Sequence, residues 1–403
     1  MLLYAQHGHA PADKLASAVA QGFIDGVILS ARYLTPDNAG RLIEDLREIR
    51  GDIHILFDPE FYATKAIGAP NAQLGNLELW PYFLQRSRNA LLVGTSAVDE
   101  ILRLTFSAQR QLDCSFFIAP SIFISNSFDS MDAVIELSFA TRAKYIAADM
   151  GITKPVFVTL AFCKDALLDR YAFRNYLNLL TALEPLPDGA YILIGTGPAD
   201  SSIGASRSEL LAPEVIGGWM ALNYALELNG IHTINGCSDI FSPLLGIANG
   251  TAAATGWWSN LQVFAMSRYI RGGSFRQPPL IRYPSKRIMN RLTLEEREIL
   301  SEISPEIMNG LSTDAYYLGR VPNRTEEALQ LWQSLGSLCG DLISGNINED
   351  LARFSAQVQQ ARQTHADLLS HGISQNYETN MDYLRVLDEG VRVFREITEL
   401  PEG

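Results

Sequence analysis

The sequence predicts an α/β fold, a (β/α)8 barrel of the TIM type over residues 1–272, followed by a helical extension. Short β-branched or aromatic runs alternate with amphipathic helical stretches from residue 1 to about 271, the pattern of parallel βα units. Eight such units can be counted. The length fits as well: 403 residues hold one barrel of roughly 250 residues and a second unit.

In order, the expected strands are LLYA (2–5), GVILS (26–30), IHILF (53–57), SFFIA (115–119), VFVTL (156–160), YILIG (191–195), HTIN (232–235) and TAAAT (251–255). The stretches ADKLASAVAQG and NAGRLIEDLREIRG between the first three read as helices ending at Gly22 and Gly51, since glycine enters the left-handed C-cap conformation without a Cβ penalty. A ninth run, ALLVG (90–94), is read as helix or an edge piece. As a true strand it would favour a doubly wound open sheet.

Apolar residues make up 47% of the chain and charged ones 19%, an ordinary globular composition that argues against disorder. The net charge of −13 disfavours nucleic acid as a partner, because polyanion contact would then need a local basic patch. Cys114, Cys163, Cys237 and Cys339 stand far apart with no C-x-x-C pair and no zinc spacing, which fits a reducing cytoplasm. The first residues lack the basic n-region of a signal peptide. No apolar run reaches the roughly 18 residues of a membrane span, so a soluble, cytoplasmic protein is expected.

Residues 271–291 carry Arg271, Arg276, Arg282, Lys286, Arg287 and Arg291 with no acidic residue among them. The proline-rich part, 273–291, reads as a linker. A last barrel helix running from top to bottom would start it at the face opposite the mouth, where its charge would dock on the acidic barrel or on a partner. Residues 292–403 read as a helical unit. Thr293-Leu-Glu-Glu296 is a capping box, and a middle helix covers 325–343. Then Ile347, Leu351, Phe354, Val358, Ala361, His365 and Leu368 recur at spacings of three and four before Gly372. Tyr377, Met381, Leu384, Leu387, Val391, Phe394 and Ile397 repeat the pattern. These predict an antiparallel hairpin whose apolar stripes pack on each other and on a third surface, either the barrel or another subunit of a homo-oligomer or protein partner.

In such a barrel the polar residues just after the strands point into the mouth. Here they are Gln6, His7 and His9; Ser30 and Arg32; Asp58 and Glu60; Ser121; Thr196; Asn235 and Asp239. Asp58 and Glu60 share parity, so they face one side if the third strand continues through Pro59. Two carboxylates at a barrel mouth are what glycosyl transfer requires, one ionised and one holding a proton. Against this pairing, adjacent positions on one strand usually hold the two carboxyls too close for that job, and the partner normally comes from a different strand, which makes Asp239, after the seventh strand, the candidate partner. The plainer alternative makes Asp58 a cap or turn residue. Arg32, two residues after Ser30, suits a bidentate clamp on a carboxylate or phosphate, or else a surface salt bridge with Asp25 or Asp37. Residues 59–77 and 197–213 are long enough to serve as lids, and the second offers Arg207 for an anion.

In GIHTINGCSDIFSPLLGIANGTAAATGWW one strand ends in Asn235-Gly236-Cys237 and the next in Thr255-Gly256-Trp257. This resembles the strand 7 and strand 8 phosphate-binding arrangement of many (β/α)8 enzymes, where small residues let backbone N–H groups approach an anion. The resemblance implies a small anionic ligand near Gly236, Gly256 and Trp257. Tight turns alone would also explain the glycines. His7-Gly-His9 resembles the H-x-H pair that metal-dependent amidohydrolases place after the first strand. The rest of that ligand set is absent, since the other histidines are His54, His232, His365 and His371, and two ligands fall short of the three or four such sites use. No tightly bound metal is expected and the cofactor is left unassigned; His7 reads as a turn histidine or proton carrier.

The functional expectation is an enzyme acting by carboxylate acid/base chemistry on a small phosphorylated or glycosidic ligand, as a hydrolase, lyase or glycosyl transferase. Asp58, Glu60, Asp239 and His7 are its candidate catalytic residues. Arg32, Ser30, Asn235, Gly236, Gly256, Trp257 and Arg207 are its candidate binding residues. Two alternatives stand beside it: a catalytically degenerate barrel used for ligand sensing or assembly, and nucleobase exchange on nucleic acid, which would need the basic linker to reach the mouth.

Overall fold

A computed structural model describes residues 1–9, 13–69, 71–270, 280–372 and 381–400. Eight strands form one sheet: β1 (Leu2–Gln6), β2 (Gly26–Ser30), β3 (His54–Asp58), β4 (Phe117–Ile118), β5 (Val156–Cys163), β6 (Gly189–Gly195), β7 (His232–Asn235) and β8 (Ala252–Thr255). All pairings are parallel and run β3-β2-β1-β8-β7-β6-β5-β4, so the first strand pairs with the last. Ser115 narrows the remaining gap between β3 and β4. Its N–H donates to Ile55 O at 2.7 Å, and its Oγ accepts from Ile55 N at 2.9 Å. The result is a nearly closed barrel of the (β/α)8 type. Its strands are buried on both faces, as β5 and β6 show throughout, because helices cover the outside and side chains fill the inside.

Helices alternate with the strands. They are α1 (Asp13–Ala20), α2 (Pro36–Ile49), α3 (Arg88–Leu92), α4 (Ser96–Gln111), α5 (Met131–Asp149), α6 (Arg170–Thr181), α7 (Pro213–Leu228) and α8 (Ser242–Ile247), with α9 (Ser259–Gln262) after β8. Thr35 caps α2 with Pro36 in its first turn, the arrangement that supplies an acceptor and uses a residue with no N–H to satisfy. The run at 90–94 falls on α3 and its exit and is no ninth strand. Gly22 is left-handed at φ 68°. Gly51 is not: α2 closes on Arg50, whose N–H donates to Leu46 O.

The chain departs from expectation after β8. The four-residue α9 is followed by a strap across the C-terminal face, where Phe264 bridges to Gly195 and Ile270 bridges to Ala72. A hairpin, β9 (Arg282–Ser285) and β10 (Asn290–Thr293), and α10 (Leu294–Ile303) come next. Then α11 (Arg324–Leu342) packs between α8 and α1 and against β1, and Trp332 Nε1 donates to Thr255 O at 3.1 Å. The place of the eighth barrel helix is therefore filled from beyond residue 272. At residue 270 the chain is still on the mouth face, not the opposite one. The physical reason is local: no amphipathic stretch of helical length directly follows β8, while its small Ala252–Thr255 segment leaves room for Trp332.

Two long helices complete the chain, α12 (Ile347–Ser370) and α13 (Asp382–Thr398). Arg362 pairs with Asp388 at 3.3 Å and the His365 ring meets Tyr383, so the two run antiparallel. Leu351, Phe354, Val358, Ala361 and Leu368 are buried, as are Leu384, Leu387, Val391 and Phe394; Tyr377 lies outside the described residues. Their third surface is the barrel. At the contact of α13 with α7, a Cβ on Gly217 would stand 2.5 Å from Val393 and one on Gly390 2.7 Å from Ile216.

The basic segment docks internally: Lys286 pairs with Asp341 at 2.9 Å, Arg291 pairs with Asp239, and Arg287 donates to Gln360 at 2.9 Å. Arg271 and Arg276 lie outside the described residues. No described helix is long and apolar enough to cross a membrane.

Candidate active site

Strand β3 stops at Asp58 because Pro59 brings no N–H to the ladder. Glu60 then turns left-handed (φ 48°, ψ 32°) and opens a 3-10 turn over Phe61–Ala66. A non-glycine residue in this region costs about 1 kcal/mol or more. Shared strand parity through Pro59 is thus not how the pair forms. The turn instead folds Glu60 back, and its N–H donates to Asp58 Oδ1 at 2.9 Å.

Both carboxylates are deeply buried, Asp58 2% and Glu60 3% exposed. Each is well supplied with donors. Asp58 Oδ2 accepts from Tyr62 OH at 2.8 Å and Tyr191 OH at 3.1 Å. Glu60 Oε2 accepts from Ser30 Oγ at 2.6 Å and from Arg32 N at 2.7 Å, and its Oε1 accepts from Tyr269 OH at 2.6 Å. Gln6 Nε2 donates to Tyr191 OH at 3.3 Å. Burial first, and the negative charge of Glu60 second, push the Asp58 carboxyl well above the usual carboxylate range. That is the condition under which one of two neighbouring carboxyls keeps a proton near neutral pH.

The strap covers this network. Beside Tyr269, Arg268 Nη2 lies 3.8 Å from Cys237 Sγ, and its Cζ lies 4.8 Å from the Phe264 ring centroid. Cys237 is left-handed at φ 54°, and burial raises its thiol pKa.

Asp239 is engaged elsewhere. Its carboxylate pairs with Arg291 and lines a small cavity with Pro284, Lys286 and Leu335. The partner that the structure gives Asp58 is Glu60. Asn235 faces the helix layer, where its Oδ1 accepts from Trp219 Nε1 at 2.7 Å and Asn223 Nδ2 at 3.0 Å. The Gly236 N–H donates to Ile192 O at 2.9 Å, and the Gly256 N–H to Leu261 O at 3.2 Å. Neither glycine amide is therefore left open to an anion. Close packing explains both: a Cβ on either would stand 2.6 Å from a neighbour, Leu193 for Gly236 and the Gln6 carbonyl for Gly256.

His7 is buried with Nδ1 unpartnered, and burial lowers its pKa to about 4. Its ring stands edge-on to Tyr33 and Trp257. His9, by contrast, is exposed. Among the described residues no three His, Cys, Asp or Glu side chains gather as a metal site. Arg207 is within electrostatic reach of Tyr383 in α13.

Arg32 makes no ion pair among the described residues; Asp25 instead accepts from Leu3 N at 2.8 Å. The guanidinium Cζ lies 5.2 Å from the Tyr33 ring centroid and 5.1 Å from that of Tyr269. With His9, Tyr33, Gln73, Gly75 and Asn76, Arg32 lines an open cleft of about 550 Å³.

Sequence reasoning missed Tyr62, Tyr191, Arg268 and Tyr269. Tyr191 carries a usable signal, since it shares inward parity with Gly189 and Leu193 on β6. Tyr269 carries none, because it reaches Glu60 from 209 residues away. No protein-family model and no curated protein matches the chain.

Proposed function

We propose that the barrel is an acid–base enzyme acting on the glycosidic bond of a small polar substrate, with Asp58 as proton donor and Glu60 as its charged partner. The observation that carries this reading is the buried carboxylate pair at the C-terminal ends of the strands, with Tyr62, Tyr191 and Tyr269 aimed at it. Paired carboxyls whose environments separate their proton affinities are the working parts of glycosidic bond cleavage. Asp58 gives its proton to the leaving oxygen or nitrogen as the bond to the sugar carbon breaks. The charge of Glu60 offsets the positive charge developing on that carbon. Water then adds to the carbon and returns a proton to Asp58. Entry requires the strap to lift Tyr269 from Glu60.

A second reading, a ligand-sensing barrel without turnover, is favoured by one observation: the strap leaves both carboxyls nearly inaccessible and fully hydrogen-bonded. Incubating the protein with nucleosides, glycosides and sugar phosphates, with product masses and melting temperature as readouts, separates the two. Cleavage of one compound that slows about a hundredfold or more in Asp58→Asn is expected for general acid catalysis. Binding without cleavage would favour sensing. Neither cleavage nor binding would sink both readings.

A further inference from the structure

We infer that Arg32 anchors an anion site, and that the cleft above it takes a small molecule whose carboxylate or phosphate group ends on the guanidinium. Arg32 is only 9% exposed. Its guanidinium N–H donors bond no described side chain or carbonyl and face the open cleft, so an oxyanion there could take them in place of water. Tyr33 and Tyr269 offer their ring faces to it, and such contacts use no N–H donor. The donors are therefore still available to an oxyanion, and the planar fork suits a bidentate one.

The surroundings are built to hold this arginine in place. Its backbone N–H donates to Glu60, its carbonyl accepts from Asn76 N at 2.9 Å, and the left-handed Gly75 sits so close that a Cβ there would stand 2.5 Å from the Arg32 carbonyl oxygen. The cleft itself selects sign. Its other lining residues are His9, Tyr33, Gln73, Gly75 and Asn76, and no carboxylate is among them. A molecule there would have amides for its polar edges and Tyr33 for an apolar or aromatic face. A volume of about 550 Å³ is in the range of small-molecule sites. The site does not depend on Asp58 being catalytic. If both readings hold, the substrate is itself an anion.

The test uses the full chain with inorganic phosphate and with benzoate, each against sodium chloride at equal ionic strength, followed by melting temperature and calorimetry. At least one probe should stabilise the parent beyond the chloride control. A phosphate response identifies a phosphoryl ligand class, and a benzoate response identifies a carboxylate one. Arg32→Met should weaken that response at least tenfold, and without ligand it loses no ion pair, only the contacts of the guanidinium with the Tyr33 and Tyr269 rings. Gln73→Glu places a carboxylate in the cleft at an exposed loop position, so it should also lose the response, and it decides the matter if Arg32→Met fails to fold. Asp58→Asn should keep the response, which separates this site from the acid–base reading. No response in the parent beyond chloride, or an equal response in Arg32→Met or in Gln73→Glu, overturns the inference.

Discussion

Single side chains set the pH behaviour of this protein, and Glu136 is the clearest case. It is fully buried in α5, where Oε2 accepts from Tyr176 OH and Oε1 has no partner. Burial pushes its pKa up to about 8, and the Tyr176 hydrogen bond offsets only part of that. An acid whose pKa is higher folded than unfolded keeps a proton that the unfolded chain releases. Stability therefore falls as pH rises from about 4.5 to about 8 and is level above that window. Asp58, shifted in the same direction, adds to the same slope. Glu136→Gln retains an acceptor for Tyr176 and removes the ionisation. It should raise stability by up to about 4 kcal/mol at pH 8 and leave it nearly unchanged at pH 4, as urea unfolding at the two pH values would show. An equal effect at both would mean that packing, not charge, decides the outcome. At this scale position just after a strand was enough to bring Ser30, Arg32, Asp58 and Glu60 into consideration, although parity was the wrong reason for Glu60, since its left-handed turn and not a continued strand brings it to Asp58. The sequence concealed those delivered by the strap, because nothing local marks Arg268 or Tyr269 as neighbours of β3 and β7.

Between elements, α7 packs extensively on α13, and this contact depends on having no side chain at Gly217 and Gly390. Helices at this separation gain dispersion contacts along their length, and a methyl group at either glycine has nowhere to go. Gly217→Ala and Gly390→Ala should each destabilise by about 1–3 kcal/mol. Gly340, in α11, meets nothing within 4 Å. There the alanine only reduces the freedom of the unfolded chain, so Gly340→Ala should stabilise by about 0.5–1 kcal/mol. Chemical denaturation of the three variants checks the contrast, and a loss at Gly340 matching the other two would remove the packing explanation. The elements themselves were largely legible. The β-branched runs became strands within a few residues of where they were placed, and the middles of both stripes of the last helices are buried, whereas Met381 is exposed and Ile347 and Ile397 at the ends are half-buried. What periodicity could not supply is the partner: an apolar stripe says that a helix is covered, not by what.

For the whole molecule, that missing partner is the main difference between the expected and observed architecture. Counting eight βα units in sequence order makes residues 1–272 look sufficient, yet α11 occupies the eighth helical position between α8 and α1. Trp332 is fully buried there, and Leu329, Leu335 and Leu338 are buried with it. Without α11, the outer faces of β1 and β8 would meet water, and burying a side chain of this size is worth about 1.5–3 kcal/mol each. That loss is large against a typical total stability of about 5–15 kcal/mol. The α12–α13 pair differs, because it covers α7 and α8 from outside a ring that is already complete. Two truncations should therefore behave differently. A chain ending at residue 345 should keep a cooperative melt at a lower temperature, and should self-associate through the uncovered face of α7. A chain ending at residue 323 should lose cooperativity and bind an apolar dye, as expected for an open barrel. Calorimetry, dye binding and sedimentation on the two chains measure this directly. A sharp melt for the chain ending at 323, with no dye bound, would show that α11 is an appendage and that the first 272 residues form a barrel without it.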